Sequence, residues 1–459
     1  MYKKQNDGGR YAFTGKNLEN IKNLRGENVR ILKSKKWLLV LLGIGAVILT
    51  ALGVSACAKT KKSQNNSSDA PIKESVLFDT YADTTYGTNG VWIEKVYDAA
   101  VDEEGHLAIP ETYQGQTVVG IRVLDTGEPF KFNENVKSVS LPNSLIEIGY
   151  NAFRGMIRLH SVTFAENSCL KKVDADAFKD CASLQEVIFP DSLEYLNDVF
   201  SGCTLLQSVH FGANTEMIAD YFTDCPYLSV ISVSEENQTY SSLDGVLYSK
   251  DKWELIRCPR GIKTLNLPQE TEEIGVKAVY HNENLTTVDL KNVAYIREYA
   301  FEGCKNLYGV EGNDVDIVML DAFKDTPWIL KTNTPNGILR LGWALVKYRG
   351  AELTLTLEDY HSISPYAFEG NDTLYTVYLK GSLFGAYEGA FKRCQQLRAV
   401  YVEVNGPLFI SDGTFDENLP DRKIYMSQGA YDYAQTNVFW QKYVQEGAVI
   451  LRDWVLQGT

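Results

Sequence analysis

Through most of the chain one hydrophobic pattern returns: Ala-Phe-x-x-Cys-x-x-Leu-x-x-Val-x-Phe or Leu, often followed by Pro. Its Phe-to-Leu interval is six residues in Phe153/Leu159, Phe178/Leu184, Phe200/Leu206, Phe222/Leu228, Phe301/Leu307, Phe368/Leu374 and Phe391/Leu397, and Val279/Leu285 keeps it with valine in place of phenylalanine. A longer interval runs alongside. Successive Phe positions are 22 residues apart from Phe178 to Phe200 to Phe222 and from Val279 to Phe301 to Phe323, and 23 apart from Phe368 to Phe391. Two spacings held together mark a repeated structural unit.

Each Leu-x-x-Val-x-Phe/Leu stretch, such as Leu184 to Phe189, has the alternation of a short strand with one buried face. Such a strand is unstable alone, so the pattern predicts a solenoid in which each coil pairs its strand with the next coil's and hides its apolar side chains against it. The repeat Phe fills the interior from the opposite wall. A second apolar pair, as in Leu145/Ile148, Leu170/Val173, Leu193/Leu196 and Val293/Ile296, predicts another short extended segment on the return side. Strand signals weaken at residues 125 to 135 and 310 to 318. From Gln428 to Tyr443 the spacing of Tyr433, Val438, Trp440 and Tyr443 is helical, which suits a cap over the last coil.

Five of the eight cysteines, Cys181, Cys203, Cys225, Cys304 and Cys394, stand three residues after the repeat Phe. Asn282, Thr326, Asn371 and Met156 occupy that slot elsewhere. Cys, Asn and Thr share small size and a hydrogen-bond donor, which fits a buried turn whose carbonyls need pairing. Free structural thiols are therefore expected, with a bridge among Cys181, Cys203 and Cys225 as the alternative.

This repeat resembles the BspA-like leucine-rich-repeat family of bacterial surface proteins. Asn237 to Lys250 and Ile338 to Gly350 resemble the hairpin insertions of that family, and Leu107 to Ile121 its first coil. The resemblance covers roughly residues 91 to 445. It implies a right-handed leucine-rich-repeat coil stack with a parallel β-sheet on one face, displayed on the cell surface. In some members it also implies adhesion to host or bacterial proteins.

Composition adds a second layer. The chain has 459 residues and a net charge of -14, but residues 1–36 are strongly basic. They precede Trp37 to Ala56, about 20 residues without a charge and long enough to cross a bilayer. Positive flanks stay cytoplasmic, which puts the remainder outside. Val54-Ser55-Ala56-Cys57 resembles a lipobox, making Cys57 a lipidation candidate, and an uncleaved signal anchor is the rival reading. The expected plan is a basic cytoplasmic or leader segment (1–36), a transmembrane or lipoprotein signal helix (37–56) and a flexible tether (57–75). A solenoid with N-terminal cap (76–427) and a C-terminal cap helix and tail (428–459) follow.

The acidic body disfavours nucleic acid as a partner. His106, His160, His210, His281 and His361 lack metal-ligand spacing and read as surface or turn residues; no cofactor-binding or catalytic motif occurs, and no enzyme activity is expected. Asp314 and Asp316 read as a solvated acidic turn. The central x of each Val-x-Phe/Leu strand points outward, so stacking should align Ser140, Thr163, Ile188, His210, Ser232, Asn266, Asp289, Tyr378, Tyr401 and Tyr425 in one column. His210, Asn266, Asp289, Tyr378, Tyr401 and Tyr425 are its candidate contacts with a protein or carbohydrate at the cell surface. A structural envelope scaffold is the alternative, and the oligomeric state stays open.

Overall fold

The computed structural model describes residues 77–86, 90–122, 135–334 and 336–452. The basic leader, the apolar segment, Cys57 and the tether lie outside them. Among the described residues no helix is long and apolar enough to cross a membrane.

The Val-x-Phe/Leu stretches form strands because alternate side chains face a dry interior: Val187, Val209 and Ile231 are fully buried, while Ile188 between its buried neighbours is 60% exposed. Parallel pairing joins Ser138–Leu141, Ser161–Phe164, Glu186–Ile188, Ser208–Phe211 and Val230–Val233 into one main sheet. The main sheet resumes as Thr287–Asp289 with Gly309–Glu311, and again from Thr354–Leu357 through Thr376–Gly381, Ala399–Val404 and Lys423–Met426 to Val449–Leu451. The return segments, including Glu147–Ile148, Lys172–Val173, Tyr195–Asn197 and Met217–Ala219, build an opposite parallel sheet. The result is a parallel β-solenoid with few helices.

Between the sheets the repeat phenylalanines stack along the axis. Ring centroids are 5.2 Å apart for Phe153/Phe178, 5.8 Å for Phe178/Phe200, 5.9 Å for Phe200/Phe222, 5.0 Å for Phe301/Phe323 and 4.7 Å for Phe368/Phe391, with ring planes within 16° of parallel. Coil spacing is the strand spacing, so it sets the ring spacing.

The slot three residues later explains the cysteines. The thiols of Cys181, Cys203, Cys225, Cys304 and Cys394 donate to the carbonyls of Phe153, Phe178, Phe200, Val279 and Phe368, at 3.0 to 3.2 Å. Each acceptor is the repeat position one coil earlier. Asn282 does the same work by donating to Pro259 and Ile262, and Asn371 by donating to Gly350. All five cysteines are free and buried. Burial pushes the Cys304 and Cys394 thiols up to about 12, so they are neutral donors and poor nucleophiles.

Hairpins interrupt the stack and divide its core: the first of three buried clusters ends at Leu247 and the second begins at Val246 and Tyr248, while the second ends at Val346 and the third begins at Leu345. Tyr240–Leu243 with Val246–Ser249, and Ile338–Leu341 with Ala344–Tyr348, pair antiparallel and join the opposite sheet. Tyr348 then takes the Phe position, 4.9 Å from Phe368. Contrary to the sequence expectation, residues 309–311 and 317–318 keep regular strand register, with Gly309↔Thr287 and Ile317↔Tyr295 paired. Backbone pairing there outweighs a weak apolar pattern.

Two further expectations need correction. The cap is two helices, Gln428–Thr436 and Val438–Gln445, because Asn437 leaves helical geometry and its side chain accepts from Phe439 and Trp440 amides. Trp440 extends the ring ladder beyond Phe415, and Val449–Leu451 returns to pair with Lys423–Met426. Asp316 is no solvated turn residue: it is buried and bonds His361 Nδ1 at 2.6 Å. His361 is thereby a half-buried bridge to the coil that carries the second hairpin, not a surface residue.

On the opposite sheet Glu254 pairs in register with Glu273, which binds Arg297 at 2.5 Å. Gly275 leaves room for the Glu254 carboxyl; a Cβ there would meet its Oε1 at 2.6 Å. Desolvation, then the Glu273 charge, raise Glu254 to about 7.

Two measurements follow from this packing. Phe200→Ala should cost about 3 to 5 kcal/mol of unfolding free energy through lost burial and a cavity; an unaltered denaturation curve would remove Phe200 from the interior. Because the folded value for Glu254 lies above the unfolded one, its stabilising contribution is complete below pH ~4.5 and is lost as pH rises through about 7. Glu254→Gln should therefore melt above the parent at pH ~9 and match it at pH ~4, and the same offset at both would contradict the assignment.

Candidate functional site

The outward column is real but broken into three patches. In the first, Ala108, Ser140 and Thr163 are in register, and Ile188, His210 and Ser232 continue it. His210 is tied down within the sheet: one ring nitrogen meets Ser232 Oγ at 2.5 Å and the other Glu186 Oε1 at 3.1 Å. Ser208 also donates to Glu186, and these two hydrogen bonds hold the Glu186 carboxyl below its ordinary range. This is a cross-strand network on an exposed face.

Asn266 departs from the expected alignment. It is exposed between buried Leu265 and Leu267, but its segment forms no strand, so it joins no ladder. The hairpin at Tyr240–Ser249 has just displaced the chain, and pairing resumes only at Thr287–Asp289. Asp289 then lies beside Glu311, a neighbour the sequence reading missed. A second interruption follows, where the short helix Pro327–Lys331 stands between the strands Gly309–Glu311 and Thr354–Leu357.

The third patch is the most regular. Tyr378, Tyr401 and Tyr425 are cross-strand partners in register, with centroids 4.6 and 4.9 Å apart and ring planes within 14°. The rings cover one another's faces and stand on edge, half-exposed. Their hydroxyls make no hydrogen bond among the described residues. Thr356 and Ile450 extend the column at its two ends, and the Lys380–Glu403 ion pair at 3.2 Å borders it. The Arg452 guanidinium lies 5.1 Å from the Tyr401 ring centroid. Thr356 was legible in the alternation of Thr354–Leu357; Arg452 had no sequence signal, because it reaches the column only after the two cap helices.

Stacking this regular stabilises the sheet by itself. What it leaves outward is a row of aromatic edges and phenolic hydroxyls at strand spacing, each a donor and an acceptor. Among the described residues no group of three His, Cys, Asp or Glu side chains converges in a way that could hold a metal ion.

The model of the BspA type leucine rich repeat region matches the chain in 6 copies, over residues 128–243, 258–349 and 351–443. Comparison with curated protein sequences gives no match. Among solved structures, the chain is similar to the pneumococcal vaccine antigen PcpA, at 16% identity over 82% of this chain and 99% of that one, with a TM-score of 0.43. It is also similar to a leucine rich cell surface protein from Faecalibacterium prausnitzii A2-165, at 22% identity, covering 74% and 96%, with a TM-score of 0.37. A leucine rich repeat protein of T. pallidum is 23% identical, covering 52% and 91%, with a TM-score of 0.33. The repeat model matches well over half of the residues, and the solenoid is the one its pattern requires: this chain belongs to the BspA-type leucine-rich-repeat family.

Proposed function

We propose that this chain is a surface-displayed binding protein, held at the membrane by its N-terminal segment, that adheres to a protein or glycan through the exposed main-sheet face. The tyrosine column carries the reading. Its three hydroxyls are aligned, half-exposed and without a hydrogen-bond partner among the described residues, so a ligand meets them already oriented and loses little side-chain entropy on contact. Attachment through acylated Cys57 or through an uncleaved Trp37 to Ala56 anchor would both present the solenoid outside the cell, beyond the polar tether. Surface display also fits the F. prausnitzii neighbour, which is described as a cell surface protein.

Replacing Tyr378, Tyr401 and Tyr425 together by Phe keeps the stack and removes the hydroxyls. Cells displaying the full chain should adhere to immobilised extracellular-matrix proteins or mucin, and the triple variant should lose at least about tenfold of that adhesion at an unchanged melting temperature, since each lost hydrogen bond is worth roughly 0.5 to 1.5 kcal/mol. Equal adhesion by parent and variant would refute the tyrosine column as the contact.

A further inference from the structure

The second interruption of the main sheet leaves a cleft of about 390 Å³, within the roughly 300 to 1,000 Å³ of small-ligand sites. One wall carries Asp289 and Glu311, in register on adjacent strands, followed by Asn313. The other is the tip of the second hairpin, Arg340 to Gly342. That tip is fixed closely. Gly342 has φ +54°, and a Cβ on it would lie 2.5 Å from the Val315 amide nitrogen, so only glycine lets the hairpin seat this near. Trp343 N–H donates to the Val315 carbonyl, and the His361–Asp316 pair braces the same junction.

The polar groups on these walls differ from those elsewhere on the sheet. Glu186 and Glu403 are each paired with a neighbour across the strands. Glu311 makes no ion pair or side-chain hydrogen bond among the described residues, and Asp289 accepts only from the Lys291 amide. Arg340 lines the opposite wall with its guanidinium held in place: Nε donates to Gly342 O at 2.6 Å, and its centre lies 5.2 Å from the Trp343 ring and 5.0 Å from the Tyr360 ring. Its terminal N–H groups make no hydrogen bond or ion pair among the described residues. Lys291 contributes less, since its ammonium is spent on the Leu267 carbonyl.

We propose that this cleft is a carbohydrate-binding subsite. Two open carboxylates and an amide accept from and orient vicinal hydroxyls, while a braced guanidinium donates in a fork to ring and hydroxyl oxygens. A polyhydroxylated ligand uses both signs at once. A purely cationic segment would meet Arg340 and Lys291, and an anionic one would meet the two carboxylates. The cleft is separate from the tyrosine column, so neither site depends on the other.

The test is an array of neutral, sialylated and uronic-acid oligosaccharides probed with the full chain. At least one glycan class should be retained. Glu311→Ala should weaken that retention about tenfold or more, and Arg340→Lys, which keeps the charge but not the fork, should weaken it comparably. Both side chains are exposed, so melting curves should not change. The tyrosine-to-phenylalanine triple variant should retain the same glycans as the parent. Retention of no glycan, or equal retention by the parent and the Glu311 and Arg340 variants, overturns the proposal. Loss in the tyrosine variant alone would place the carbohydrate contact on the column instead.

Discussion

Every coil in this molecule hides its apolar residues by leaning on the coil beside it. Phe178 is covered by Phe153 on one side and Phe200 on the other, and the same holds for Phe391 between Phe368 and Phe415. No coil closes a core alone, so burial and strand pairing must share one period. That shared period also settles the turns. A turn packed between coils leaves a carbonyl facing inward, and an unpaired buried carbonyl costs free energy comparable to a lost hydrogen bond. A thiol or an amide one coil later meets it, whereas the hydroxyl of Thr326 in the same slot donates to Phe323 within its own turn.

Seen this way, the hairpins are tolerated because they respect the ladder at their ends. Tyr348 ends the second hairpin in the place of a repeat phenylalanine, and Trp328 packs on Phe323 at 4.5 Å where the main strand gives way to a helix. The interior changes from one buried cluster to the next at each hairpin, whose strands supply side chains to both, while the outer sheet is interrupted. Interruption is what creates concave surface on an otherwise regular face, as in the cleft between Glu311 and the tip of the second hairpin.

What the sequence disclosed follows from what repetition can encode. Interior positions were legible, because Phe, Leu and Val recur at fixed offsets and each recurrence has the same neighbours. The slot donors were legible for the same reason, down to Asn282 and Asn371 substituting for cysteine. The tyrosine register was legible because three regular coils carry it. Asn266 was misplaced because one continuous column was assumed across a hairpin, and counting offsets does not reveal where pairing stops. Asp316 was misjudged because its partner, His361, lies 45 positions away on a different coil. Long-range pairs of unlike residues leave no periodic trace, and that also hid Arg340 opposite Glu311.

The same register that stacks like on like inside does so outside, where its consequences differ. Within the core a column of identical rings is a packing solution. On the surface, Tyr378, Tyr401 and Tyr425 consume their own faces in stacking, so such a column cannot receive another flat ring except at its ends. What the column offers the proposed ligand is then hydroxyls and ring edges, repeated at the strand spacing of about 4.8 Å. An extended ligand lying across the strands meets that repeat at each step, whereas a compact one reaches a single hydroxyl and gains little. The cleft at Glu311 poses the opposite demand, for a small ligand held from two sides. One construction rule thus gives the two proposed sites opposite shapes: periodic where the coils agree, and enclosed where an insertion makes them part.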